Sequence, residues 1–299
     1  MQALWMVLGS FFFASMAVCV KIASAWFNSA EQVFYRGLLG MLFMWLLARG
    51  QGISLGTRYP GMHAWRSLVG VLSLGAWFYA IVELPLATAM TLNYMSSVWV
   101  AAFLVGGALL AWNPRKSGSA PLRQGPLVLT VLAGFAGVIL ILRPTIGQQQ
   151  AFAGLVGLLS GFAAAFAYMQ VMALGKLGEP ELRTVFYFAV GSAVAGGIGM
   201  AVSGVSPWDW QHSLWLLPVG LLASLGQLCI TRAYSHGATL VVASLQYFGI
   251  VFGAIYSVAL FGDEISAAGW AGMALIVASG IAATVLRERA APNAPAEEH

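Results

Sequence analysis

Two pairs of side chains stand out as chemistry-bearing groups in this sequence of 299 residues: Asn93-Tyr94 and Gln246-Tyr247, each a side-chain amide beside a phenol inside a long apolar run. Neutral hydrogen-bonding groups at such positions can hold a polar solute without the cost of a permanently buried charge. Their neighbours extend the set. Tyr79 and Tyr168 add phenols at helical positions, and Ser97 and Gln227 add further neutral donors and acceptors. The commonplace role for such groups is to join two helices by a hydrogen bond, or, for the aromatics, to form an interfacial belt.

Charged candidates are few. Arg36 falls a little more than one turn inside its apolar run, near enough to the boundary to pair with Glu31 or to reach headgroups, so anchoring is the first expectation and gating the second. Glu83 precedes Pro85 at a junction between runs, and His236 occupies the matching short connection; a carboxylate and an imidazole there are candidates for gating or proton coupling. Cys19 and Cys229 both sit within apolar runs, where neither a disulfide framework nor a metal-ligand spacing arises.

The elements that must position these residues are membrane spans. Apolar residues make up 60% of the chain and charged residues 8%, too few to cover a soluble protein of this size. A helix needs about 20 mostly apolar residues to cross the hydrocarbon layer. Ten runs of that kind are found, approximately Ala3 to Ser24, Glu31 to Ala48, Ala64 to Val82, Leu86 to Leu110, Gly125 to Leu142, Ala153 to Leu174, Thr184 to Val202, Leu214 to Ala233, Ala238 to Leu260 and Gly269 to Leu286. The runs are continuous rather than alternating, which favours helices over barrel strands. An all-α integral membrane protein of ten transmembrane helices follows.

With the N-terminus in the cytoplasm, the inner connections collect most of the 14 basic residues, among them Arg49, Arg58 and Arg66 in the second connection. The outer connections carry Glu31, Glu83, Asp209, Asp263 and Glu264. This asymmetry predicts that both termini are cytoplasmic, in a bacterial-type inner membrane. The net charge of +4 comes without a basic cluster interleaved with aromatics, so no nucleic-acid partner is expected.

A weak self-similarity recurs at a shift of about 150 residues, the kind of period sought before other fold reasoning. Val33-Phe34-Tyr35 matches Val185-Phe186-Tyr187, and Thr91-Leu92-Asn93-Tyr94 matches Ser244-Leu245-Gln246-Tyr247. The simplest parsing is a first five-helix repeat over residues 1–145, a second over 150–288 and a cytoplasmic tail over 289–299. An odd number of helices per repeat inverts the second half in the membrane. Inverted repeats meeting near the midplane are a recurrent design of secondary transporters.

The motifs resemble the drug/metabolite transporter superfamily, specifically its EamA-type ten-helix members. Phe34-Tyr35-Arg36-Gly37-Leu38-Leu39 is similar to the family's Arg-containing second helix. Phe261-Gly262-Asp263-Glu264, followed by Gly269, Gly272 and Gly280, is similar to the end of the ninth helix and the Gly-spaced tenth. The first repeat departs from this pattern, since Gly107 to Pro114 contains no acidic residue. The resemblance, extending to amino-acid exporters of the YddG type, implies export of small metabolites by alternating access. It also implies a central cavity among helices one to four and six to nine.

The expected function is therefore secondary export of an amino acid, aromatic or otherwise neutral, with small-molecule substrate and membrane lipid as partners and with the oligomeric state open, a monomer among the options. Alternatives of the same fold are a multidrug or cation exporter and a lipid flippase. An enzyme is not expected, since the chain has no His-Glu metal motif, paired intramembrane Asp or Gly-x-Ser-x-Gly turn. No cofactor or metal is expected, and without a Walker motif the energy must come from gradients.

Overall fold

The computed structural model describes residues 2–100, 148–236 and 245–290, with positions 102, 103, 129, 132, 133, 136, 137, 140 and 242. Most of the expected fifth span, the connection holding Arg115, Lys116 and Arg123, and the tail after residue 290 lie outside the described residues. Among those described, the elements are all helical: α1 (Gln2–Ala23), α2 (Ser29–Gly50), α3 (Pro60–Glu83), α4 (Leu86–Tyr94), α5 (Gln148–Lys176), α6 (Glu181–Ser203), the short α7 (Trp210–Ser213), α8 (Leu216–His236), α9 (Phe248–Phe261) and α10 (Ala267–Ala290). Six of the described helices are long and apolar enough to cross a membrane, and the described parts of α9 and α10 are shorter apolar helices. The protein is an all-α integral membrane protein.

The outward faces are apolar at helical spacing, the reverse of a soluble protein. Leu38, Leu42, Trp45 and Leu46 on α2, and Trp65, Leu68 and Leu72 on α3, are exposed. The polar residues of the same helices point inward: Arg36 and Gln32 on α2, and His63, Arg66, Ser67 and Ser73 on α3, are buried. Lipid on the outside and polar groups facing other helices is the arrangement the bilayer enforces.

Packing follows a pattern. The most extensive contacts pair α2 with α6, α1 with α8 and α3 with α5, while α4 packs mainly against α9 and α5. If spans one to four are matched with spans six to nine, the α2–α6 and α4–α9 pairs map onto themselves, and the α1–α8 and α3–α5 pairs map onto each other. Small residues allow the self-paired contacts to be close. A Cβ at Gly37 would run into the backbone of Ala189 and Ala193, and one at Gly196 into the backbone of Phe34. Along α4 and α9 the same economy holds, since a Cβ at Gly249 would overlap the Tyr94 ring.

Helix ends are fixed by their own chemistry. Asn28 and Glu31 form a capping box at the start of α2, each accepting the other's backbone N–H. Pro60 opens α3 at its first turn, where a missing N–H is harmless. Gly262, at φ +64°, closes α9 in the left-handed conformation.

The helix starting at Pro60 corrects one reading of the sequence. Arg66 belongs to the second turn of α3 and is buried, rather than lying in the basic connection. The span expected from Leu86 to Leu110 is interrupted at Met95, and its counterpart is interrupted at Gln246-Tyr247, where Gly249 N–H donates to Gln246 O and Ile250 N–H to Tyr247 O. Both interruptions directly adjoin or include the two amide-phenol pairs.

Candidate functional site

Four of the expected substrate-binding residues, Asn93 and Tyr94 at the C-terminal end of α4, Tyr168 of α5 and Gln227 of α8, open onto a cavity between the helices. The rest of its wall includes Phe13, Trp77 and Phe188. Its lining therefore combines side chains from both halves of the chain. Asn93 Nδ2 donates to Ser160 Oγ at 3.0 Å, and Ser73 Oγ donates to Ser160 O at 2.8 Å, which ties α3, α4 and α5 together at one point. A Cβ at Gly161 would overlap the Leu92 and Asn93 carbonyls, so Gly161 is what lets α5 approach that turn.

Gln246 stands behind this wall rather than in it. Its Oε1 accepts from Ser97 Oγ at 3.0 Å and from Tyr234 OH at 2.9 Å, and its Nε2 donates to Tyr168 OH at 3.2 Å. Its backbone carbonyl accepts from Ser10 Oγ at 3.4 Å. One buried amide thus joins groups from four other segments, and Tyr168, stacked on Tyr234 at 4.9 Å between centroids, carries that network to the cavity. The amides of Asn93 and Gln246 take separate partners. Tyr247 is buried in the core, and Tyr79 is only partly buried with its ring edge-on to Phe152.

The charged candidates take different places. Glu83 is exposed at the end of α3. His236 Nδ1 lies 3.3 Å from Glu181 Oε1, joining the ends of α8 and α6. Arg36 does not pair with Glu31, whose carboxylate accepts from the Asn28 and Ser206 backbones and from Ser206 Oγ. Instead Arg36 is buried and lines the cavity. Arg66, which sequence reasoning placed in a loop, lines it as well. The missed signal was Pro60, whose fit to a first helical turn carries α3 back far enough to include Arg66.

A second polar cluster, also missed, lies at one end of the bundle. The α2–α3 loop is tied to the turn between α5 and α6: Thr57 Oγ1 and His63 Nε2 donate to Glu179 Oε1, the latter at 2.9 Å, and Arg183 Nη1 donates to Glu179 Oε2 at 2.8 Å. Arg183 also donates from Nε and Nη2 to Ser54 O, and Tyr187 OH donates to Leu55 O at 3.0 Å. Burial pushes the Glu179 carboxyl upward, but the hydrogen bonds from Thr57 and His63 and the charge of Arg183 prevail and hold it below its ordinary range.

A bundle of apolar helices around an internal cavity, with polar and aromatic side chains of both halves in its wall, is an architecture suited to moving a small molecule across a membrane. The comparisons agree. The model of the EamA-like transporter family matches residues 1–116. The pseudopaline exporter CntI of Pseudomonas aeruginosa is 35% identical, the match covering 92% of this chain and 93% of that one. A riboflavin transporter of Rhizobium johnstonii is 26% identical, covering 93% and 89%. An uncharacterized transporter of Helicobacter pylori is 26% identical, covering 92% and 91%. A crystal structure 17% identical superposes with a TM-score of 0.69 over 97% of this chain and 98% of that one, a likeness of fold. This chain belongs to the EamA-like transporter family, within the drug/metabolite transporter type, and is a small-molecule transporter rather than an enzyme.

Proposed function

We propose that this protein exports small amino-acid-type metabolites by alternating access, as a secondary carrier of a bacterial inner membrane with both termini in the cytoplasm. The observation that carries the reading is the cavity itself, whose wall draws Asn93, Tyr94 and Trp77 from the first half and Tyr168 and Gln227 from the second. Amides and phenols suit the polar backbone of an amino acid, and the aromatic faces suit its side chain. Export, rather than uptake, is favoured by the pseudopaline exporter among the relatives.

The halves are read as inverted repeats, residues 1–145 and 150–288. Support comes from helix contacts that are unchanged when matching spans are exchanged, and from helix interruptions at matching amide-phenol pairs. Broken helices at a midplane site, between halves that rock against each other, are the usual means of opening alternately to each side. In this reading the Glu179 cluster is the cytoplasmic gate in its closed state. A cation exporter is disfavoured because no acidic side chain appears in the cavity wall among the described residues.

The test uses purified protein in liposomes loaded with labelled amino acids and with no nucleotide present. Efflux down a concentration gradient is expected for at least one of them. Flux that appears only with ATP and a partner protein would refute the carrier reading.

A further inference from the structure

Arg36 and Arg66 are the two cationic side chains in the cavity wall, 4% and 2% exposed, and they approach the same aromatic ring: their Cζ atoms lie 5.1 and 4.2 Å from the centre of Phe188. Neither has a carboxylate partner among the described residues. Arg36 Nη1 donates to Ser192 Oγ at a long 3.4 Å, while Arg36 Nε and Arg66 Nε and Nη1 are buried with no hydrogen-bond partner. The acidic groups that might have answered them are engaged elsewhere. Glu31 caps α2, Glu179 closes the α2–α3 end, Glu181 meets His236, Asp209 meets His212, and Asp263 accepts from Ser257.

Two like charges, buried together and unpaired, are costly. Their approach to the Phe188 ring recovers part of that cost, but it leaves N–H groups of both unanswered. The surroundings are shaped to keep them there. A Cβ at Gly70 would overlap Arg66 Nη1 and crowd the Phe188 ring, so the Arg66 guanidinium can fold back over its own helix only because residue 70 has no side chain. A planar fork of N–H donors matches a carboxylate with two parallel bonds.

We propose that Arg36 and Arg66 form an anion-binding subsite and that the exported solute carries two carboxylates, one for each guanidinium, with its remaining polar groups directed to Asn93 and Gln227. This rests on the carrier reading and narrows it, from amino-acid-type metabolites in general to those with net negative charge. A zwitterion would satisfy one guanidinium and leave the other buried and unpaired. A cation would meet two like charges.

The test measures thermal melting of the detergent-solubilised full chain in the presence of glutamate, glutamine, N-(carboxymethyl)phenylalanine, the side-arm amide of that compound, and O-phosphoserine. The dicarboxylates are expected to stabilise the protein at concentrations about tenfold or more below their monoamides, the ratio that one charge-assisted bond supports. Arg36→Gln and Arg66→Gln should each erase that preference while melting, without ligand, at or above the wild-type temperature, because each relieves an unpaired charge. Arg66→Lys should keep part of the preference. Equal protection by a dicarboxylate and its monoamide, protection by O-phosphoserine alone, no protection by either dicarboxylate, or a preference that survives both Gln variants would overturn the proposal. Efflux from liposomes separates the two readings. Neutral amino acids carried equally by wild type and both Gln variants would overturn the anionic cargo and leave the carrier standing. Arginine-dependent dicarboxylate protection without flux of any solute would do the reverse.

Discussion

At the scale of single residues, the two amides that look alike in sequence have different duties. Asn93 lines the cavity and makes one side-chain bond, to Ser160; Gln246 is fully buried and makes three, to Ser97, Tyr168 and Tyr234. Interhelical bonds of this kind are worth about 0.6 kcal/mol each in membrane proteins. Gln246→Leu is therefore expected to cost ~2 kcal/mol of stability and Asn93→Leu less than 1 kcal/mol, roughly, on that scale. Flux should follow the opposite order, with Asn93→Leu impairing efflux from a protein that melts near the wild-type temperature. Melting in detergent beside efflux from liposomes measures both, and a stable Gln246→Leu protein with an unstable Asn93→Leu one would reverse the assignment. The chain pattern revealed both amides because each sits beside a Tyr in an otherwise apolar run. It did not separate their roles, since that depends on Ser97, Tyr168 and Tyr234 converging from three different segments.

Among the elements, the α2–α3 loop and the α5–α6 turn form a polar contact centred on Glu179. Because the folded carboxyl is held below its ordinary range, its contribution to stability is fully present above the unfolded carboxylate value and is lost as the pH falls through the lower, folded one. Melting temperature should accordingly fall on acidification below the ordinary carboxylate range. Glu179→Gln should lower stability at neutral pH and flatten that acid limb; an unchanged acid limb in the variant would assign the pH dependence to other groups. None of this contact was legible in sequence, because Thr57 and His63 are more than a hundred positions from Glu179 and each reads locally as a loop or helix-end residue. The helices themselves were legible, as uncharged runs of spanning length announce themselves. What was misjudged was where α3 begins. A start at Ala64 left Arg66 near a boundary where a charge is cheap, whereas the start at Pro60 buries it in the wall of the cavity.

For the whole molecule, a cavity with groups from both halves lies in a bundle whose α2–α3 loop and α5–α6 turn are tied by the Glu179 cluster, and under the proposed alternating access that cluster opens and closes in every cycle. Both termini of the chain are expected in the cytoplasm, and a reporter active only there, attached after Arg289, should be active; silence would reverse the assignment of the Glu179 cluster to the cytoplasmic end. Locking that cluster decides whether transport passes through the alternation of the two halves. Thr57→Cys with Glu179→Cys, bridged by a short thiol-specific reagent, ties the α2–α3 loop to the α5–α6 turn, while Cys19 and Cys229 are buried within their helices. Efflux from liposomes should stop on bridging and return when the bridge is cleaved with reductant, with each protein carrying only one of the two substitutions unaffected by the reagent. Undiminished efflux through a fully bridged protein would contradict alternating access through this cavity.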